Sequence, residues 1–189
     1  MAESSKTTLR DITTIAAVLA TIASLFAAMS WITSGKAAGD AGDRRTAALG
    51  FMMLRLEAAT EASTARVEQQ TYLTQAAMYQ SYAASAADEN IRLILENLAI
   101  TSLQMSELKG SVAENAENRA GSYLNAFDKA MEEAGFFGRV ADYRSTGALI
   151  FNISAVLGSL TVILKRKEVL YVYVPVFLIG LFYLLLSLV

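Results

Sequence analysis

Residues 144–189 read RSTGALIFNISAVLGSLTVILKRKEVLYVYVPVFLIGLFYLLLSLV. Two uncharged runs, 145–164 and 169–189, flank the tetrapeptide Lys165-Arg166-Lys167-Glu168. Each run is about 20 residues long. At about 1.5 Å per helical residue that is about 30 Å, the thickness of a bilayer's hydrocarbon core. The pattern predicts a pair of transmembrane helices joined by a basic elbow. A third uncharged run, ITTIAAVLATIASLFAAMSWITSG at 12–35, adds a span near the start of the chain. A cleaved signal peptide is the rival reading of that run, with Lys6 and Arg10 as its basic region, but the apolar stretch is long for one. A retained anchor is the expectation, with Trp31 in the interfacial aromatic belt.

The elbow also predicts an orientation. Lys165, Arg166 and Lys167 lie between two closely spaced spans, where the excess of basic residues on the cytoplasmic side is most reliable. The expected layout is a cytoplasmic N-terminus (1–11), span one (12–35), an extracytoplasmic segment (36–144), span two (145–164), the cytoplasmic elbow (165–168) and span three (169–189). The segment 36–144 holds 11 Lys and Arg against 15 Asp and Glu, a net charge of −4, which is compatible with export. Lys36, Arg44 and Arg45 follow span one and compete with Lys6 and Arg10, so the elbow carries the orientation argument. The expected location is a bacterial inner membrane.

The middle of the chain reads as helix. Over the whole protein there are one Pro and 11 Gly, which suits long helices. Between residues 44 and 85 the only glycine is Gly50, and Ala58, Ala62, Ala65, Gln69, Tyr72, Ala76, Tyr79 and Ala83 keep a 4-3-4-3 rhythm, a seam made mostly of alanine. A turn is expected within 83–90, where Ser85-Ala86-Ala87-Asp88 has the form of a capping box. Beyond it a stronger seam is predicted: Ile91, Ile94, Leu98, Thr101, Met105, Leu108 and Val112. Leu93, Leu95, Ile100 and Leu103 form a second apolar face. The glycine-rich SGKAAGDAGD at 34–43 and Gly135-Phe136-Phe137-Gly138 are expected breaks where the chain leaves and regains the membrane. The fold expected is therefore an all-α membrane protein, three transmembrane helices plus a long coiled-coil-like extramembrane hairpin.

The residue inventory excludes much chemistry. No Cys means no disulfide, thiolate nucleophile or thiolate-bound metal. No His removes the commonest general base and the commonest metal ligand. The carboxylates are scattered, and the pair Glu57–Glu61 lacks any histidine partner. No phosphate-binding glycine loop and no nucleophile elbow occur. No span carries an ionisable side chain at its middle, which argues against a proton relay. At a net charge of −2, with no basic run longer than the elbow, nucleic-acid binding has no electrostatic basis. No enzymatic activity, cofactor or metal is expected.

The residues left to carry function are contact residues. In span one the small side chains Ala16, Ala20, Ser24 and Ala27 crowd one face, suited to close helix approach in lipid. In span two Asn152 seeks a hydrogen-bonding partner, and Ser154 and Gly158 form a small-x-x-x-small pair. In the middle segment Ile94, Leu98 and Met105 stand for the Leu/Ile seam. Tyr171 and Tyr173 are expected to be interfacial anchors beside Pro175, which is expected to break the third span. Tyr72, Tyr79 and Tyr82 are candidates for seam packing or for a partner-binding patch.

Gln69-Gln70-Thr71-Tyr72 through Tyr79-Gln80, with 150–164 and its following Lys-Arg-Lys, resembles an uncharacterised bacterial membrane-protein family, a domain of unknown function with one N-terminal span, a helical middle and two C-terminal spans. The resemblance is one of layout, specific at the C-terminal hairpin, and the aromatic-plus-lysine pattern of that family's middle stretch is absent here. It implies an architecture and no activity. The function expected is a non-enzymatic structural or accessory subunit, or a self-assembling scaffold, whose partners are membrane lipids and either a second copy or a larger membrane complex. The alternative is a small oligomeric channel or membrane-permeabilising effector lined by Asn152, Thr13, Thr14, Thr21 and Ser24.

Overall fold

A computed structural model of the protein describes residues 2–164 and 168–188, with side chains described from residue 13 onward. The chain is all-α: α1 spans Ala2–Ser85, α2 Glu89–Leu164 and α3 Glu168–Leu186, and no strand occurs among the described residues. Each helix is long and apolar enough to cross a membrane, with windows of mean hydropathy 2.1, 2.0 and 2.4. The elbow residues Lys165, Arg166 and Lys167 lie outside the described residues.

The turn between the two long helices falls where the sequence places it, but its cap differs. Asp88, not Ser85, caps α2: its Oδ1 accepts from the backbone N–H of Asn90 at 2.8 Å and of Ile91 at 3.4 Å. This satisfies two of the N–H groups that a helix start leaves without partners. Ser85 is still in the last turn of α1, donating to the carbonyls of Tyr82 and Ser81.

The two expected breaks at 34–43 and 135–138 are absent, and helix runs through both. Each helical glycine costs about 1 kcal/mol relative to alanine, and tertiary packing offsets it. Ser34, Ala37 and Ala41 are buried. Ala37 clusters with Val140 and Ala141, and Ser34 donates to the Ala141 carbonyl at 2.9 Å. A Cβ on Gly35, Gly39 or Gly42 would meet nothing within 4 Å, so these glycines occupy open positions on the helix and do not mark a close approach. Pro175 likewise fails to end α3, which passes through it.

The chain divides into two compact units. Unit 1 comprises Met1–Arg45 and Met131–Val189, and unit 2 comprises Thr46–Ala130. Unit 1 packs segments of all three helices, the small residues Ala16, Ala20, Ala23, Ala27 and Ser30 of α1 being buried. Its largest buried side chains are Tyr173 and Phe151. Phe151 stacks on Phe26 (centroids 5.3 Å apart) and meets Phe177 edge-on at 5.5 Å, and Phe177 stacks on Tyr173 at 6.0 Å. One aromatic column thus ties the three helices together. Unit 2 is an antiparallel pair formed by the C-terminal half of α1 and the first half of α2. Arg119–Glu61, Arg66–Glu117 and Lys109–Glu68 bridge the two arms at 2.7, 3.1 and 2.6 Å and set their register.

Candidate functional site

In unit 2 the seam of the first arm is the one the sequence predicts. Ala58, Ala62, Ala65, Ala76 and Ala83 are buried, with Gln69, Tyr72 and Tyr79 half-buried beside them. Tyr72 and Tyr79 therefore belong to the seam, and Tyr82 is exposed.

The second arm differs from expectation. Its buried residues are Ala99, Ser102, Ser106, Ala113, Ala116 and Ala130. The Leu/Ile row points away from the partner arm: Ile91, Ile94, Leu98 and Leu108 are exposed and Met105 is half-buried. Ile94 is 59% exposed where Ser106, on a different face of the same helix, is 3% exposed. Close approach of two alanine-lined helices is the physical reason. When both seams are short, backbones approach closely and ion pairs close over them, whereas Ile or Leu in the seam would hold the arms apart. The second apolar face is open too, with Leu93, Ile100 and Leu103 exposed.

The bridging pairs perturb their own ionisation. The hydrogen bond from Arg66 holds the Glu117 carboxyl below the ordinary glutamate range; desolvation opposes it, and the charge of Arg66 adds a smaller lowering. The hydrogen bond to Glu68, followed by its charge, raises the Lys109 ammonium. Arg66 is raised by the same contact with Glu117.

In unit 1 the sequence-predicted contact residues divide. Ala16, Ala20, Ala27, Ser154 and Gly158 are buried within the chain. Gly158 sits at the closest approach of α2 to α1: a Cβ there would lie 2.7 Å from Ala20 Cβ, 3.2 Å from Tyr173 Cε2 and 3.3 Å from the Ala16 carbonyl oxygen. Gly180 plays the same part on α3, where a Cβ would come within 2.9 Å of the Phe151 ring. Nothing in the sequence singles out Gly180 or Phe151, because a span made of large apolar residues does not show which of them meet. Tyr173 is fully buried and is no interfacial anchor, whereas Tyr171 is exposed.

Ser24 and Asn152 face outward. Asn152 makes no hydrogen bond among the described residues, so of its two expected partners, a helix of the same chain or one of another copy, the first is not seen. Ser24, Thr21 and Ser159 border an open groove of about 340 Å³ with Ala17, Ala20 and Val162. Their hydroxyls donate to carbonyls of their own helices at 2.9–3.0 Å. Among the described residues no three His, Cys, Asp or Glu side chains are placed to hold a metal ion.

Comparison with protein-family models, with curated proteins and with solved structures finds no match to this chain. The resemblance of layout to a three-span bacterial family stays one of layout.

Proposed function

We propose that the protein is a non-enzymatic, three-span bacterial inner-membrane protein, its elbow cytoplasmic and residues 46–130 extracytoplasmic, that works as a self-assembling scaffold or accessory subunit through its helical hairpin. The observation that carries the reading is the row Ile91, Ile94, Leu98, Met105 and Leu108. With Thr101 between Leu98 and Met105, it keeps the 3-4 spacing of a coiled-coil seam over about five helical turns, yet the arm opposite is packed on the Ala/Ser face instead. A monomer with so much contiguous apolar surface in water is unusual, and such surface marks an interaction site. The flanking row on the side away from the arm contact is Asn90, Asn97, Gln104 and Ser111, which is uncharged, so a second identical copy meets no repulsion there. Leu98→Glu and Ile94→Glu test this by mass measurement in nanodiscs: the wild-type chain is expected as an oligomer and the variants as monomers. A wild-type monomer at all protein-to-lipid ratios removes the assembly claim.

Outward-facing Asn152 favours a second reading, a small oligomeric channel, since an amide in hydrocarbon gains by meeting another polar group across a subunit boundary. Ion flux through reconstituted liposomes decides it, and Asn152→Leu is expected to abolish any conductance that Leu98→Glu does not.

A further inference from the structure

Where α3 ends in unit 1, the three helices leave a cavity of about 220 Å³. Its base is apolar: Phe26, Met29 and Leu184. The rest of the lining is Ser30, Thr33, Arg144 and Ser187, with one further apolar residue, Leu188. Two features of that lining are unexplained by packing. The Ser30 hydroxyl is buried, with its residue 1% exposed, and has no hydrogen-bonding partner among the described residues. Arg144, half-buried, reaches only the Thr33 carbonyl and the Ser187 hydroxyl, both at 3.4 Å, the long limit of a hydrogen bond. No carboxylate lies within 4.0 Å of it among the described residues; Arg45, Arg55 and Arg139 share that lack, but Arg144 alone of these lines a cavity beside a buried, unpartnered hydroxyl.

We infer that this cavity binds the phosphodiester of an anionic phospholipid, in the leaflet at the Ser187 end of α3. A guanidinium offers five N–H donors in a planar fork that matches phosphate oxygens. Here most of that capacity is unspent, and among the described residues no carboxylate competes for it. The Ser30 hydroxyl supplies a further donor. The apolar base takes the first carbons of an acyl chain, and the remainder lies along the outward faces of the helices. A free phosphate ion would leave that base uncovered, so a lipid is the occupant that satisfies both ends. Bound there, it touches all three helices and stabilises their packing by mass action. This inference rests on the proposal that unit 1 crosses the membrane.

The full-length protein, purified in a neutral detergent and stripped of lipid, is titrated with dioctanoyl-phosphatidylglycerol, dioctanoylglycerol or inorganic phosphate. Native mass spectrometry and thermal unfolding are the readouts. One molecule of phosphatidylglycerol per chain is expected, with a rise in Tm, and neither of the other two probes is expected to match it. Arg144→Gln is expected to weaken binding about tenfold or more, since it removes hydrogen bonds to a charged group. Ser30→Ala weakens it less, Arg144→Lys retains part of it, and Arg139→Gln, which removes an exposed arginine, leaves it unchanged. Should Arg144→Gln fail to fold, Ser30→Ala and the three probes on wild type still decide. Equal binding of dioctanoylglycerol or of phosphate, or equal loss in Arg139→Gln, overturns the inference. Failure of the chain to sediment with membranes after alkaline washing overturns the membrane reading instead.

Discussion

Two glycines of this chain show how much a single position depends on what lies opposite. Gly158 is held where a Cβ would fall 2.7 Å from that of Ala20 and close to the Ala16 backbone, and backbone cannot swing aside. Gly39, with nothing within 4 Å of its Cβ position, is under no such constraint. Gly158→Leu is therefore expected to destabilise unit 1 by about 1–3 kcal/mol or more through overpacking. Gly39→Ala is expected to stabilise the chain by about 0.4–1 kcal/mol by restricting the unfolded state. Thermal unfolding in one detergent compares the two, and a Gly158→Leu variant as stable as wild type would refute the close contact. The Ser154-x-x-x-Gly158 spacing made Gly158 visible in the sequence. Gly180 carries no such signature, because the residues four positions away on either side, Val176 and Leu184, are large.

At the level of the helical elements, the second arm of unit 2 turns on side-chain size. Ala113 and Ala116 are fully buried, and leucine in place of Ala113 has to push the arms apart. Ala113→Leu is expected to lower the stability of residues 46–130 by about 1–3 kcal/mol. Leu98→Gln, on an exposed position, changes monomer stability by less than about 0.5 kcal/mol. Hydrogen exchange over 46–130 reads both, and the opposite ranking would mean that the Leu/Ile row is the true seam. The cross-arm ion pairs add a pH dependence. Glu117 has its folded-state pKa depressed, so its contribution is present above the ordinary glutamate value, about 4.3, and fades as pH falls through the lower folded value. Lys109 is raised, so its contribution is present below the ordinary lysine value, about 10.4, and fades as pH rises through the higher folded one. The pairs are exposed, so the effect is small. The midpoint of helix loss should drop slightly from neutral pH to below 4, and Glu117→Gln should shrink that drop. An unchanged pH profile in the variant would show that the Arg66–Glu117 bridge does not hold in solution.

For the whole molecule, the proposed orientation is the claim with most consequences, since it decides what residues 46–130 can meet. A protease added to the periplasmic face of intact spheroplasts is expected to cut between 46 and 130 and to leave the elbow intact. Added to inverted vesicles, it should cut near Lys165, Arg166 and Lys167. The reverse pattern would put the apolar row of α2 on the cytoplasmic side and call for a different partner.

Helix class, the three apolar stretches and the turn near residue 86 were determined by the sequence alone, because each depends on local composition: uncharged runs of bilayer length, a nearly proline-free chain, an Asp beside an apolar run. The alanine seam of the first arm was equally legible, since its period is unbroken. Only the tertiary structure decided that helix continues through residues 34–43, where burial of Ala37 and Ala41 against Val140 and Ala141 outweighs the glycines. Likewise it decided that α2 turns Ser102, Ser106 and Ala113 inward and leaves Ile94 and Leu98 outside. Periodicity reports that a helix has an apolar face, but which of two faces is buried depends on how closely the neighbouring backbone can come, and that distance is set by residues far away in the chain.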